Sequence, residues 1–198
     1  MSRLAHAQNP AAGHLTAVAH AQSVLEFQQN LNKEFLSPAE SPLTDQERAA
    51  FNTLPFYPTG YAYYVAATLV CDSNSQPFAI ETSTARRPLY RKYGELRFVL
   101  NGQPLHLSMY QNLELLKRPG LEDYLFVPFT DLTNGRGSYG GGRYLDLRIP
   151  PAGTTLMQLD FNCAYNPSCA YSHGYSCPVP PAENRLPVAI PAGVQSDH

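Results

Sequence analysis

The chain has 198 residues, of which 43% are hydrophobic and 15% charged, with a formal net charge of −2. This content buries one sizeable core and excludes a chain disordered throughout, while the near-neutral balance removes the basic footprint of nucleic-acid binding and of a polybasic membrane surface. No apolar run approaches the about 20 residues that span a bilayer, and the opening MSRLAHAQNPAAGHLTAVAHAQ lacks the apolar region of a secretory signal. The expected compartment is therefore the cytoplasm, a secreted or lipid-anchored form requiring prior removal of a signal.

Residues 1–19 are small, polar and aperiodic, with Pro10 and Gly13, and are expected to form a flexible tail. From His20 to Leu36, the residues Val24, Phe27, Leu31 and Phe35 fall on one helical stripe, which Ser37-Pro38 ends. Thr44, followed three residues later by Glu47, is a capping-box signature with acids in the first turn, so a second short helix begins there and turns Phe51 and Leu54 inward. The two helices predict an N-terminal helical hairpin over residues 20–54.

After Pro55, short β-branched and aromatic runs alternate with turn residues. They predict strands over residues 61–71, 78–82, 89–93, 95–100, 103–110, 124–128, 144–149 and 155–161. Asn101-Gly102 supplies the positive φ angles of a type I′ turn, making 95–110 a hairpin. Thirteen tyrosines with no tryptophan favour the same β-rich body. With no helices of βαβ length between the strands, the expected class is mainly β (α+β), a single antiparallel β-sandwich or barrel-like body over 55–161. Prolines at 167, 178, 180 and 181 remove backbone donors and fix φ, so residues 162–193 form a long irregular Pro/Cys/Tyr-rich clasp closing one domain over 20–198.

Three stretches carry a resemblance: PFTDLTNGRGSYGGGRYLDL at 128–147, LDFNCAYNPSCAY at 159–171 and CPVPPAENRLPVAIPAG at 177–193. Together they resemble the signature of the DUF1684 family of bacterial and archaeal proteins, and SPLTDQERAAFNTLPFYP at 41–58 is similar to that family's N-terminal entry motif. The resemblance covers roughly residues 41–193. It implies membership in a domain family of unknown function, so motif positions carry over without roles. The positions of Cys169 and Cys177 belong to the family pattern, whereas those of Cys163 and His173 do not.

Four sets of residues could carry chemistry. Cys163, Cys169, His173 and Cys177 supply three thiols and an imidazole, enough for a tetrahedral zinc site, although the spacing lacks paired CxxC knuckles. A Cys169/Cys177 disulfide and plain buried thiols are the competing readings, and no cofactor is expected. The glycine-rich run from Gly135 to Arg143 can aim several N–H groups inward, with Arg136 and Arg143 flanking an anion. The alternative for it is a wide turn in which Arg143 pairs with Asp131 or Asp146. Asp131, Asp146, Asp160 and Glu183 are candidate catalytic carboxylates, but none has the spacing of an acid/base pair, and Asp160 better suits a backbone-satisfying role. Tyr139, Arg143, Asn162, Tyr165, Asn166 and Glu183 are the expected pocket-lining residues.

The leading expectation is a protein that binds a small polar or anionic molecule between the glycine-rich turn and the C-terminal loop. An enzyme, such as a hydrolase or lyase of a small polar substrate using Asp, Glu and Tyr on that wall, is the alternative. A partner-interaction protein with a zinc- or disulfide-stabilised loop is a third. No nucleic-acid or membrane partner is expected, and a homo-oligomer is compatible with every one of these readings.

Overall fold

The first helix, α1 (Ala17–Leu36), starts where the Thr16 side chain accepts the Ala19 amide, three residues before the expected boundary. This computed structural model describes residues 7–8 and 13–196; residues 1–6 and 9–12 of the expected tail lie outside the described residues. His20, Val24, Leu31 and Phe35 give α1 its buried stripe. The second helix, α2 (Asp45–Ala50), carries the full capping box, with Thr44 and Glu47 bonding reciprocally. It buries no residue of its own; instead Phe51, just beyond it, stacks on Phe35 of α1 at 5.5 Å, and Leu54 is buried.

The strands are β1 (Tyr64–Cys71), β2 (Phe78–Ala79), β3 (Leu89–Leu100), β4 (Gln103–Asn112), β5 (Tyr124–Phe129), β6 (Arg143–Arg148) and β7 (Leu156–Asp160). They form one antiparallel sheet in the order β6-β5-β4-β3-β1-β7, with β2 paired to β3. The expected hairpin is present, with Asn101 and Gly102 at φ 51° and 77° joining β3 to β4. Two expected strands, 89–93 and 95–100, prove to be one, because Gly94 marks a bulge between Lys92 and Gly94 and does not end the strand. A Cβ on Gly94 would run into the Val70 carbonyl of β1.

The sheet is open and curled, and all seven strands belong to it, so there is no stacked second sheet among the described residues. Its outer strands approach each other only beyond β7, where Tyr165 makes a two-way backbone bridge to Tyr144 of β6. Gln8 sits in the same gap. Its amide donates to Asp146 O of β6, and its carboxamide exchanges two 3.0 Å bonds with the backbone of Asp160 at the end of β7.

Alternation along the strands separates two faces. One carries Leu96, Phe98, Leu107, Met109, Leu125, Val127, Leu145, Leu147, Met157 and Leu159, and is sealed by Leu186, Ile190 and Ala192 of the C-terminal segment. The other presents Tyr90, Tyr110, Tyr124, Phe126 and Tyr144 to Leu31 and Phe35 of α1 and to Leu54, Ile80 and Val194. Burying both faces over this part of the sheet is what lets so short a chain hold a long irregular C-terminal run.

Candidate functional site

The loop joining β5 to β6 is built by its own side chains. Asp131 Oδ1 accepts the Thr133 amide at 2.7 Å, Asn134 Oδ1 accepts the Asp131 amide at 2.6 Å, and Asn134 Nδ2 donates to Tyr139 O at 2.6 Å. The amides of Gly135, Arg136, Ser138 and Gly142 all donate to carbonyls of the same loop. These four amides are spent on the turn itself and are not available to the inward-facing cradle of N–H groups that the glycine-rich sequence suggested. Gly142 is held at φ 96° against the Phe129 carbonyl, where no side chain fits.

Arg143 opens β6 on the same face as Leu145 and Leu147, and it is fully buried. Its Nη2 donates to Asp131 Oδ2 at 2.5 Å and to Ile190 O at 2.8 Å, its Nη1 donates to Ala192 O, and its guanidinium lies 5.3 Å from the Phe129 ring centre. It has no exposed surface from which to meet a ligand. The expectation that Arg143 reads an anion is corrected by this placement, and the internal pair with Asp131 takes its place.

The other candidate residues are dispersed. Asp146 accepts from Tyr124 at 2.6 Å and Tyr165 at 2.8 Å. Asp160 accepts from Asn162 at 2.7 Å and meets buried His20 at 2.9 Å. Glu183 takes the Tyr110 hydroxyl and lies 3.5 Å from Lys92 Nζ. Asn162 exchanges two bonds with the backbone of Gly60, and Asn166 donates to Gln195 O at 3.1 Å. Four carboxylates in four separate networks do not make an acid/base pair, and Asn162 and Asn166 serve the backbone in place of a pocket.

Tyr165 does line a cavity, of about 250 Å³, together with Tyr90, Tyr124, Phe126, Tyr144 and Cys177. Burial pushes the phenols of Tyr124 and Tyr144 well above their ordinary value, the nearby Asp146 adding to the effect at Tyr124 and the cysteines at Tyr144. These are neutral, hydrogen-bonding walls. Tyr144 spends its hydroxyl on Pro178 O.

At the rim of this cavity the cysteines part company. Cys169 and Cys177 are in contact: Cys177 Sγ accepts the Cys169 amide at 3.2 Å, and the Tyr139 hydroxyl lies 4.0 Å from Cys169 Sγ. The hydrogen bond from Cys177 brings the Cys169 thiol down to about 6, assisted by Tyr139. Cys163 is elsewhere, buried beside Asp160, and burial pushes its thiol well up. His173 is exposed. No group of three or more His, Cys, Asp or Glu suited to a metal occurs among the described residues, so the four-ligand set is not assembled. Cys71, at the end of β1, is exposed.

A larger depression of about 670 Å³ lies where the glycine-rich loop meets the C-terminal segment. Residues 184–188 run beside 130–132, with Leu186 N donating to Thr130 O at 2.8 Å and Leu132 N to Val188 O at 3.0 Å. This pairing brings Arg185 to the lining of the depression, which Arg136 of the glycine-rich loop also lines. Both are exposed, and neither has a carboxylate partner within 4.0 Å among the described residues. Asp131, also in the lining, is already neutralised by Arg143. Arg185 was not singled out by the sequence, because nothing local links it to Arg136; only the parallel bridge does.

An open curled antiparallel sheet with N-terminal helices and a C-terminal strap defines the class of this protein. The chain belongs to the family described as protein of unknown function (DUF1684), which matches residues 49–195. It is similar to the uncharacterized protein from gene locus rrnAC0354 of Haloarcula marismortui, whose solution NMR structure superposes with a TM-score of 0.70 at 33% identity, covering 92% of this chain and 98% of that one. No curated protein matches the chain. No helix among the described residues is long and apolar enough to cross a membrane.

Proposed function

We propose that the protein binds a small anionic molecule in the depression between the glycine-rich loop and the C-terminal segment. The observation that carries this reading is the pair Arg136 and Arg185, two exposed arginines lining one depression, with the lining carboxylate of Asp131 paired to Arg143. Planar guanidinium forks suit carboxylate or phosphate oxygens, and a space of about 670 Å³ is the size of a small-molecule site. The tyrosine-lined cavity is smaller than such sites usually are, at about 250 Å³. A groove of about 630 Å³ along the outer face of β1, β3 and β4 is large enough, but its Arg97 is already paired with Glu95 at 3.2 Å.

The test is thermal melting with succinate, citrate and inorganic phosphate at constant ionic strength. A ligand at a hundred times its dissociation constant stabilises by about 2.7 kcal/mol. Arg136→Gln and Arg185→Gln each remove most of that gain while leaving the ligand-free stability within about 0.5 kcal/mol of the original, as exposed substitutions do. A gain that survives in the double variant assigns the anion to another surface and overturns the reading. So does the absence of stabilisation by all three anions.

A further inference from the structure

Cys169 and Cys177 stand apart from the anion depression and support an inference that does not rest on it. Both occur as thiols, on either side of an irregular loop, with Cys169 half-buried and Cys177 on the wall of the tyrosine-lined cavity. Cys169 sits in a short 3₁₀ turn, Ser168–Ala170, and its own amide donates to the sulfur of Cys177. Cys177 is fixed from the other side, where its amide donates to Ser83 Oγ at 3.0 Å and its carbonyl accepts the Ser83 amide at 2.8 Å. The two sulfurs are thus brought together by backbone contacts, in a loop with few regular hydrogen bonds that can absorb the movement a covalent bond requires.

We propose that Cys169 and Cys177 form a reactive dithiol site whose substrates are hydroperoxides. The Cys169 sulfur attacks the terminal peroxide oxygen; the S–O bond forms, the O–O bond breaks, and the leaving oxygen takes a proton and departs as water or alcohol. Cys169 is then a sulfenic acid. The Cys177 sulfur attacks it, the S–S bond forms, the S–O bond breaks, and the hydroxyl leaves as water with the proton that Cys177 gives up. The peroxide has been reduced by two electrons and the two thiols oxidised to one disulfide. The Tyr139 hydroxyl, beside Cys169 Sγ, is placed to donate toward the departing oxygen. A small-molecule thiol restores the pair by two exchange steps. Cys169 is the attacking partner because it is the more accessible of the two and accepts the hydrogen bond from Cys177.

The chain carries its own controls. Cys71 is exposed at the end of β1, and Cys163 is buried. The reduced full-length protein is treated with substoichiometric hydrogen peroxide, quenched with an alkylating agent and mapped by peptide mass spectrometry. The expected result is a Cys169–Cys177 crosslink forming at least about ten times faster than oxidation of Cys71, with Cys163 unmodified. In Cys177→Ser, the reaction stops at a Cys169 sulfenic acid that dimedone traps. In Cys169→Ser, peroxide consumption falls to the rate of Cys71. Oxidation of Cys71 at an equal or greater rate in the unsubstituted protein overturns the proposal, and that result does not depend on whether either variant folds. Rapid loss of both thiols to separate sulfinic acids, with no crosslink, overturns it as well.

Discussion

Arg143 occupies a position where strand alternation assigns an apolar side chain, and the fold accepts it because both terminal nitrogens of the guanidinium are furnished, although its buried Nε has no hydrogen-bond partner among the described residues. Asp131, two backbone carbonyls and the Phe129 ring supply the partners. Removing one member of such a buried pair leaves the other charge without compensation, at a cost of about 3–5 kcal/mol. Arg143→Met is expected to lose that much stability in denaturant unfolding, far more than either exposed arginine of the proposed site. Asp131→Asn combined with Arg143→Met should recover part of the loss, since no lone carboxylate remains. If Arg143→Met unfolds at the original denaturant midpoint, the pair is not supporting the loop. The burial was legible in one respect: Arg143, Leu145 and Leu147 share a period of two. Its glycine-rich neighbourhood, read as a ligand loop, outweighed that signal.

Among the elements, β4 and β5 show how a strand pair is repaired. Their register sets Tyr110 opposite Phe126, which places Ser108 opposite Pro128, a residue with no N–H to give. Asn184 is inserted there. Its Oδ1 accepts the Ser108 amide at 2.8 Å, and its Nδ2 donates to Ser108 O at 2.9 Å and Pro128 O at 2.7 Å. Asn162 with Gly60 and Gln8 with Asp160 repeat the device, a carboxamide standing in for a backbone peptide group. Asn184→Ala strands buried backbone groups at about 1–3 kcal/mol each, so a loss of about 3 kcal/mol is expected in urea unfolding. A loss below about 0.5 kcal/mol would mean that water or a shift of β5 takes over the role.

These contacts explain which parts of the fold sequence can reveal. Hairpin turn, capping box, helical stripe and most strand positions are local patterns, and each appears within a residue or a few of where the sequence places it. The joining of 89–93 to 95–100 was hidden because a glycine reads as punctuation, whereas Gly94 marks a bulge where β1 passes too close for a side chain. The candidate site was less legible. Arg136 and Arg185 meet only through a backbone bridge between distant segments, and the Cys163 and His173 side chains, near Cys169 and Cys177 in sequence, are carried away by the turns between them.

At the scale of the whole molecule, an open sheet must end somewhere, and an uncovered strand edge is a template on which another chain can lay itself. Here the two ends of the sheet face each other, with the Tyr144–Tyr165 bridge and Gln8 occupying the gap. Gln8→Pro removes both the amide that reaches β6 and the carboxamide that reaches β7. The expected outcome is a fold with unchanged circular dichroism but a greater tendency to self-associate, followed by light scattering across a concentration series. Unchanged scattering would show that the gap is guarded without it. Gln8 is thus placed as a stopper against edge-to-edge stacking, and a single polar side chain outside the apolar clusters would set the colloidal behaviour of the protein.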